Sequence, residues 1–198
     1  MKKENFNTKL LKQNKLFIIT LTLLLAGTAF AQNNKDDDRI YWSEGQKLTI
    51  SDFGIHTRNM ESGATSAEFA IDYQVSKLNF ATKSFNKKVR NYMVKSTSQI
   101  DVTGNVDQFL LYQQTLFDLS EVYAREFRRA LQQNKKLLIQ STSVADELNW
   151  KIMSEFMERR AKYTKETNSA SNKVMQKKWQ KEIAYELSVL KDYAYDSK

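Results

Sequence analysis

The chain has 198 residues, enough for one domain with a hydrophobic core. It contains no Cys and a single His, His56, which excludes disulfides, thiolate metal sites, a Cys nucleophile and any site built from two imidazoles. Residues 1–31 carry five Lys and one acidic side chain, so the formal net charge of +8 falls to +4 over the rest of the chain. Because acidic and basic residues alternate there, we predict no nucleic-acid interface.

Residues 1–31 are typical of a signal peptide, with Lys side chains, an apolar run over 16–25, and Ala29 and Ala31 at the positions a signal peptidase reads. The run is shorter than the ~20 residues that span a bilayer, which favours cleavage over an uncleaved anchor. No Cys follows, which excludes a lipoprotein. We expect an exported protein, periplasmic or secreted, without a membrane anchor after cleavage. Polar residues 32–38 form a predicted disordered lead-in to a single domain, residues 39–198.

Alternating apolar residues predict strands in the first half of this domain. The clearest alternation covers 66–76, with 78–85 as a second strand and 92–102 as a third. Ile40 and Trp42 also alternate with polar residues. These segments predict a small sheet with one buried face.

Two shorter segments precede the clearest strand. Leu48 and Ile50 suggest a short strand after a turn at Gly45. Residues 54–65 show no periodicity, so we predict a loop that carries His56.

Helical spacing of apolar residues marks the second half. Residues 108–131 contain no Gly or Pro and predict a long central helix, with Asp107 as its N-cap. Two more helices are predicted over 143–165 and 175–194, separated by a break at 168–172. Strands followed by helices predict an α+β fold, a small mostly antiparallel sheet packed on three helices.

Three separated segments share a pattern of motifs with a known family. They are WSEGQKLTISDFG (42–54) with SGATSAEFAIDY (62–73), LLYQQTLFDLSEVYAREFRRAL (110–131), and YTKETNSASNKVMQKKW (163–179). Their order and spacing resemble a bacterial family of predicted secreted zinc-dependent proteases. The resemblance implies a zincin-like domain over residues 39–198, with the second segment as the family's catalytic helix.

The resemblance places zinc ligands where this sequence departs from the family. In a His-Glu-x-x-His helix the two His lie about 40° apart around the axis and reach one ion, and the Glu polarises the attacking water. The corresponding residues here are Tyr112-Gln113-Gln114-Thr115-Leu116, and the third-ligand position, in a Thr-x-His-Gly motif, is Ser169. Tyr112, Gln113, Leu116 and Ser169 are therefore degenerate metal-site positions. We predict no catalytic residues, no metal and no cofactor.

Other residues do not restore this site. Tyr112 and Leu116 are an i,i+4 pair of the kind that packs in a core. Glu121 lies about 140° and 180° around the helix from Leu116 and Tyr112, so we predict a salt bridge or a helix-surface contact away from that face. His56 offers one imidazole. A carboxylate cluster is possible, but alternation with Lys and Arg favours a solvated face for its members, Asp118, Glu155, Glu158 and Glu166.

The leading functional hypothesis is therefore an exported, non-catalytic pseudoenzyme on a zinc-protease-like scaffold. It would bind a peptide, a glycan or an envelope protein in the former cleft, through Tyr112, Gln113 and Ser169.

Two alternatives stay open. One is an active secreted hydrolase or peptidase with a non-zinc site, such as a Ser with a Lys base. The other is an interaction protein with an apolar helix edge, although Met at helical spacing usually fills core gaps. The oligomeric state is left open. The edge residues are Met153, Met157, Met175, Trp179, Tyr193 and Tyr195.

Overall fold

The computed structural model describes residues 37–58, 65–74 and 85–196, which form a mixed α+β fold. The predicted fold class is confirmed at that level, with a small, mostly antiparallel sheet packed on helices. The described strands are β1 Arg39–Tyr41, β2 Ile55–Thr57, β3 Thr65–Tyr73 and β4 Val89–Asp101. The described helices are α1 Val106–Gln133, α2 Lys135–Gln140, α3 Ser143–Glu166 and α4 Lys173–Val189.

Some predictions fall outside the described residues. They include the signal peptide, most of the lead-in, and nearly all of the strand predicted over 78–85. Residues Asp38–Lys198 form one compact unit. Within the described ranges, no helix is both long enough and apolar enough to cross a membrane.

The sheet is organised around β4, which pairs with each of the other described strands. β3 runs antiparallel along one edge, with an irregular register between Ser66 and Glu68. The other edge is shared, because β1 pairs antiparallel with the first half of β4 and β2 pairs parallel with its end. The strand predicted over 92–102 spans Val89–Asp101 and is the longest and most central of the described strands.

Gly54 lies between the two strands of that shared edge and allows the chain to pass close to β4. Its N–H donates to the Lys95 carbonyl at 2.8 Å. A Cβ at this position would lie 2.7 Å from the same oxygen, closer than real contacts allow. Glycine is therefore required by the close approach of the two backbones.

Two predictions for the N-terminal half are wrong. Leu48 and Ile50 do not form a strand, since residues Ile50–Asp52 make a 3-10 turn in which Asp52 accepts a hydrogen bond from the Thr49 N–H at 2.7 Å. Nor is 54–65 a continuous loop, because Ile55–Thr57 pairs with β4. Both errors concern segments of three residues, too short for periodicity to register.

α1 is the central helix, as predicted, and extends two residues beyond the predicted range at each end. Its N-cap is Asn105, whose side chain accepts from the Gln108 N–H at 3.2 Å, so the prediction of Asp107 is wrong. The other two long helices are confirmed. The last of them, α4, ends at Val189, earlier than predicted. The sequence analysis did not predict the short helix α2.

The core lies on both sides of α1. On one side Phe117 stacks on Phe69 of β3, with ring centroids 5.2 Å apart, above the buried Met93 of β4. On the other side α1 packs against α3 and α4. Because both sides of α1 are covered, several of its polar residues are buried together with the apolar ones. Buried polar groups need hydrogen-bond partners, so the bonds on each face show which groups remain available to a ligand.

Candidate functional site

The face of α1 that meets α3 and α4 holds two of the degenerate metal-site positions, Tyr112 and Leu116. Tyr112 and Leu116 are 5% and 1% exposed, which confirms that this pair packs in the core. The Tyr112 ring stacks on Tyr163 of α3 with centroids 4.9 Å apart. Trp179 of α4 meets the Tyr163 ring edge-on at 5.4 Å. Three helices are thus joined through aromatic rings.

A chain of neutral hydrogen bonds runs beneath these rings. The Tyr163 hydroxyl donates to Gln176 Oε1 at 2.6 Å, and Gln176 Nε2 donates to Thr115 Oγ1 at 2.7 Å. Thr115 Oγ1 donates in turn to the Leu111 carbonyl at 2.8 Å. Burial raises the pKa of Tyr163 well above its usual value, so its hydroxyl keeps its proton. Each member is satisfied without a charge.

The Tyr112 hydroxyl points toward α3, where it shares a hydrogen bond of 2.8 Å with Thr164 Oγ1. Burial raises the pKa of Tyr112, and the bond to Thr164 and the charge of Arg160 partly offset that rise. Tyr112 is therefore a neutral, hydrogen-bonded phenol.

The other two degenerate positions have contrasting surroundings. Gln113 is 1% exposed, and its Oε1 atom has no hydrogen-bond partner among the described residues. Ser169 is exposed, in the turn between α3 and α4. Its N–H donates to the Thr164 carbonyl at 3.0 Å, so Ser169 lies next to the residue that binds Tyr112.

That turn has a strained backbone. Asn168, Ser169 and Ala170 have φ values of 48°, 49° and 85°, the left-handed region that residues other than glycine seldom occupy. The turn is held by the Asn172 N–H bond to the Thr167 carbonyl, 2.8 Å, and by Gln108 of α1, whose side chain donates to the Ala170 carbonyl. The predicted break at 168–172 is confirmed.

Beside the turn lies a shallow depression of about 520 Å³. Arg160 and Lys165 are its charged residues, and no acidic side chain lines it. A ligand there would touch Thr164 and Ser169 and would be one hydrogen bond away from Tyr112. The full lining is Met157, Arg160, Ala161, Thr164, Lys165, Asn168 and Ser169.

The groups at the degenerate positions do not fit a zinc ion. Leu116 has no donor atom, the Tyr112 oxygen is occupied by Thr164, and Ser169 offers only a neutral hydroxyl. His56 lies in β2, exposed, with Nε2 3.1 Å from the Ile50 carbonyl oxygen. Within 37–58, 65–74 and 85–196, no group of three or more His, Cys, Asp or Glu could hold a metal.

Another face of α1 carries a polar stripe that the sequence analysis missed. Its members are spaced alternately four and three residues apart, which is the signal that marks one helix face. Gln114 Oε1 accepts from the Leu48 N–H at 2.8 Å, and Gln114 Nε2 donates to Asp118 Oδ1 at 2.9 Å. The stripe is Gln114, Asp118, Glu121, Arg125 and Arg128.

The centre of the stripe is a buried ion-pair cluster. Glu121 Oε1 accepts from Arg128 Nη1 at 2.7 Å and from Arg125 Nε at 3.2 Å. Arg128 is fully buried and also donates to the Val89 and Tyr193 carbonyls at 2.9 and 3.0 Å. The salt bridge predicted for Glu121 is confirmed, but it lies in the interior. Through Arg128 it ties β4 and the 3-10 turn Lys191–Tyr193 to α1.

Most of the residues of the predicted apolar edge pack on the core. Trp179 is buried, and Met153, Met175 and Tyr193 are partly buried against the main core cluster. Met157 is 54% exposed, at the rim of the depression.

Comparison with known proteins adds no relative. No protein-family model, no curated protein and no solved structure matches the chain.

Proposed function

We propose that this protein is an exported, non-catalytic binding protein, built on a scaffold similar to that of zinc proteases and lacking their metal chemistry. The carrying observation is the burial of Tyr112 and Leu116 in a neutral, hydrogen-bonded helix interface. Side chains that form a core in this way hold the helices together and offer no group to activate water.

The proposed ligand site is the depression beside the α3–α4 turn. Its two cations, Arg160 and Lys165, favour a ligand with an anionic group, and Thr164 and Ser169 supply hydroxyls. The proposed ligand class is a peptide, a glycan or another envelope component. The signal-peptide pattern of residues 1–31 supports export to the periplasm or beyond.

Metal content is the first test. Purified protein is incubated with zinc, desalted and assayed for bound metal, and less than about a tenth of an equivalent is expected because the ligand positions lack donors. Chelator-sensitive cleavage of casein, or stoichiometric zinc, would overturn the proposal. Labelling by a fluorophosphonate would instead favour a hydrolase with a Ser nucleophile.

A restored variant tests the scaffold separately. Tyr112→His, Gln113→Glu, Leu116→His and Ser169→His together recreate the zinc-ligand pattern, and on a zincin-like scaffold the folded variant should bind about one zinc. A folded variant that binds none would contradict the scaffold. Circular dichroism establishes that the variant folds.

A further inference from the structure

The polar stripe of α1 borders a second cavity, of about 440 Å³, within the usual size range of small-ligand sites. We call it the Trp42 pocket, after the indole that forms one wall. It lies between the segment after β1, the middle of α1 and the end of α4. Asp118 and Arg125 lie about 120–140° around α1 from Tyr112, so this pocket is separate from the depression of the proposed function. Its principal lining residues are Trp42, Lys47, Asp118, Arg125, Leu187 and Lys191.

Arg125 supplies a fixed donor to the pocket. It is only 3% exposed, and Nε donates to Glu121 while Nη1 donates to the Leu187 carbonyl at 2.7 Å. The Trp42 ring lies 5.2 Å from its Cζ atom. These contacts hold the guanidinium plane in place, and Nη2 has no hydrogen-bond partner among the described residues. A buried guanidinium with a spare N–H is suited to a carboxylate.

Asp118 supplies a fixed acceptor to the same pocket. Its Oδ1 atom accepts from Trp42 Nε1 and from Gln114 Nε2, both at 2.9 Å. Its Oδ2 atom accepts no hydrogen bond from the part of the chain that the structure describes. Two bonds on one oxygen therefore orient the carboxylate and leave the second oxygen for an N–H group.

The donor and the acceptor are close enough to act on one ligand unit. Arg125 reaches back to Glu121, three residues beyond Asp118, so the two polar groups are about one helical turn apart. The indole of Trp42 contacts both and offers an apolar surface between them. Lys47 and Lys191 lie at the rim and add positive charge, while Glu44 adds one negative charge.

We propose that the Trp42 pocket binds an amino-acid unit with a free α-carboxylate, from a peptide carboxy terminus or from a free amino acid. The carboxylate would bind Arg125 Nη2, and the adjacent N–H or ammonium group would donate to Asp118 Oδ2. Trp42 and Leu187 would contact the side chain of the unit.

Calorimetric titration of the full-length protein tests this with three probes: N-acetyl-Ala-Ala-Leu, the same peptide as its C-terminal amide, and free leucine. Binding of the peptide acid about tenfold tighter than the amide supports a peptide carboxy terminus. Binding of free leucine alone supports the same chemistry with a free amino acid as its source. No binding of either carboxylate at millimolar concentration overturns the proposal.

Asp118→Asn is the informative variant because it keeps the Oδ1 acceptor for Trp42 and Gln114 but turns the second oxygen into a donor. The substitution should lower the affinity for the probe that binds about tenfold and leave the melting temperature of the protein unchanged. Lys191→Gln, at the rim, should lower that affinity by less, whereas the control Lys177→Gln lies in a different cavity and should have no effect. Wild-type affinity in a folded Asp118→Asn protein would also overturn the proposal.

Discussion

The two buried polar faces of α1 satisfy their polar groups in different ways. The face toward α3 and α4 uses neutral groups, so that Tyr163, Gln176 and Thr115 satisfy one another in a chain. The stripe uses ions, with Glu121 between Arg125 and Arg128. Removing a buried ion from water costs several kcal/mol, whereas a neutral hydroxyl costs much less. The charged face therefore depends more strongly on every one of its partners being present.

Arg128→Ala should disrupt the buried ion-pair cluster of the charged face and have the largest effect on stability. The change leaves Glu121 with one cation and removes the donor to the Val89 and Tyr193 carbonyls. We expect the free energy of unfolding to fall by about 3–5 kcal/mol, measured by urea denaturation. The neighbouring Arg129→Ala is the control, since that side chain is 41% exposed and pairs with Glu126 at the surface, worth about 0–1 kcal/mol. Equal losses would mean that burial of the ion pair is unimportant.

Tyr163→Phe tests the neutral side and should have an intermediate effect. It keeps the aromatic stack but leaves Gln176 Oε1 without its donor in the interior. We expect a loss of about 1–3 kcal/mol in the same denaturation experiment. Tyr185→Phe, at a position 70% exposed, should change little. A loss as large as that of Arg128→Ala would remove the distinction between the two faces.

The smallest effect concerns a hydroxyl outside both faces. Burial, together with the 2.6 Å hydrogen bond to Asp146, raises the pKa of Tyr73 to about 12. Its contribution to stability is fully present below the unfolded-state pKa of about 10 and is lost as the pH rises through about 12. Between about pH 10 and pH 12 the melting temperature should fall less steeply with pH for Tyr73→Phe than for the wild type. Parallel curves would contradict the assignment, and an unchanged far-ultraviolet spectrum near neutral pH serves as the control.

Periodicity predicted the parts of the fold whose pattern is long. α1, α3 and β4 each extend over ten residues or more, so apolar spacing identifies them without knowledge of their neighbours. β2 could not be found in this way, because its three residues become a strand only through pairing with the distant end of β4. Local chemistry was also ambiguous at the start of α1, where Asn105 and Asp107 are both good caps.

The candidate sites were predictable only in part. The core role of Tyr112 and Leu116 follows from their spacing on an apolar helix. The Trp42 pocket does not, since it is lined by segments far apart in the chain. The depression lies along one stretch, 157–169, but its shape depends on the left-handed backbone of the turn after α3. The interleaved acidic and basic residues around Asp118 predict a solvated side chain. Its bond to Trp42 joins residues 76 positions apart, a relation that no local pattern contains.

The central place of β4 has a consequence for the order in which the molecule assembles. Among the described strands, β1, β2 and β3 all pair with β4 and none pairs with another. During synthesis these described strands gain the partners described here only as β4 emerges, β1 with residues 92–94 and β2 with residues 99–101. The helices make mostly local bonds and can form as they emerge. Sheet formation is therefore a cooperative step that waits for β4, the last of the described strands in the chain.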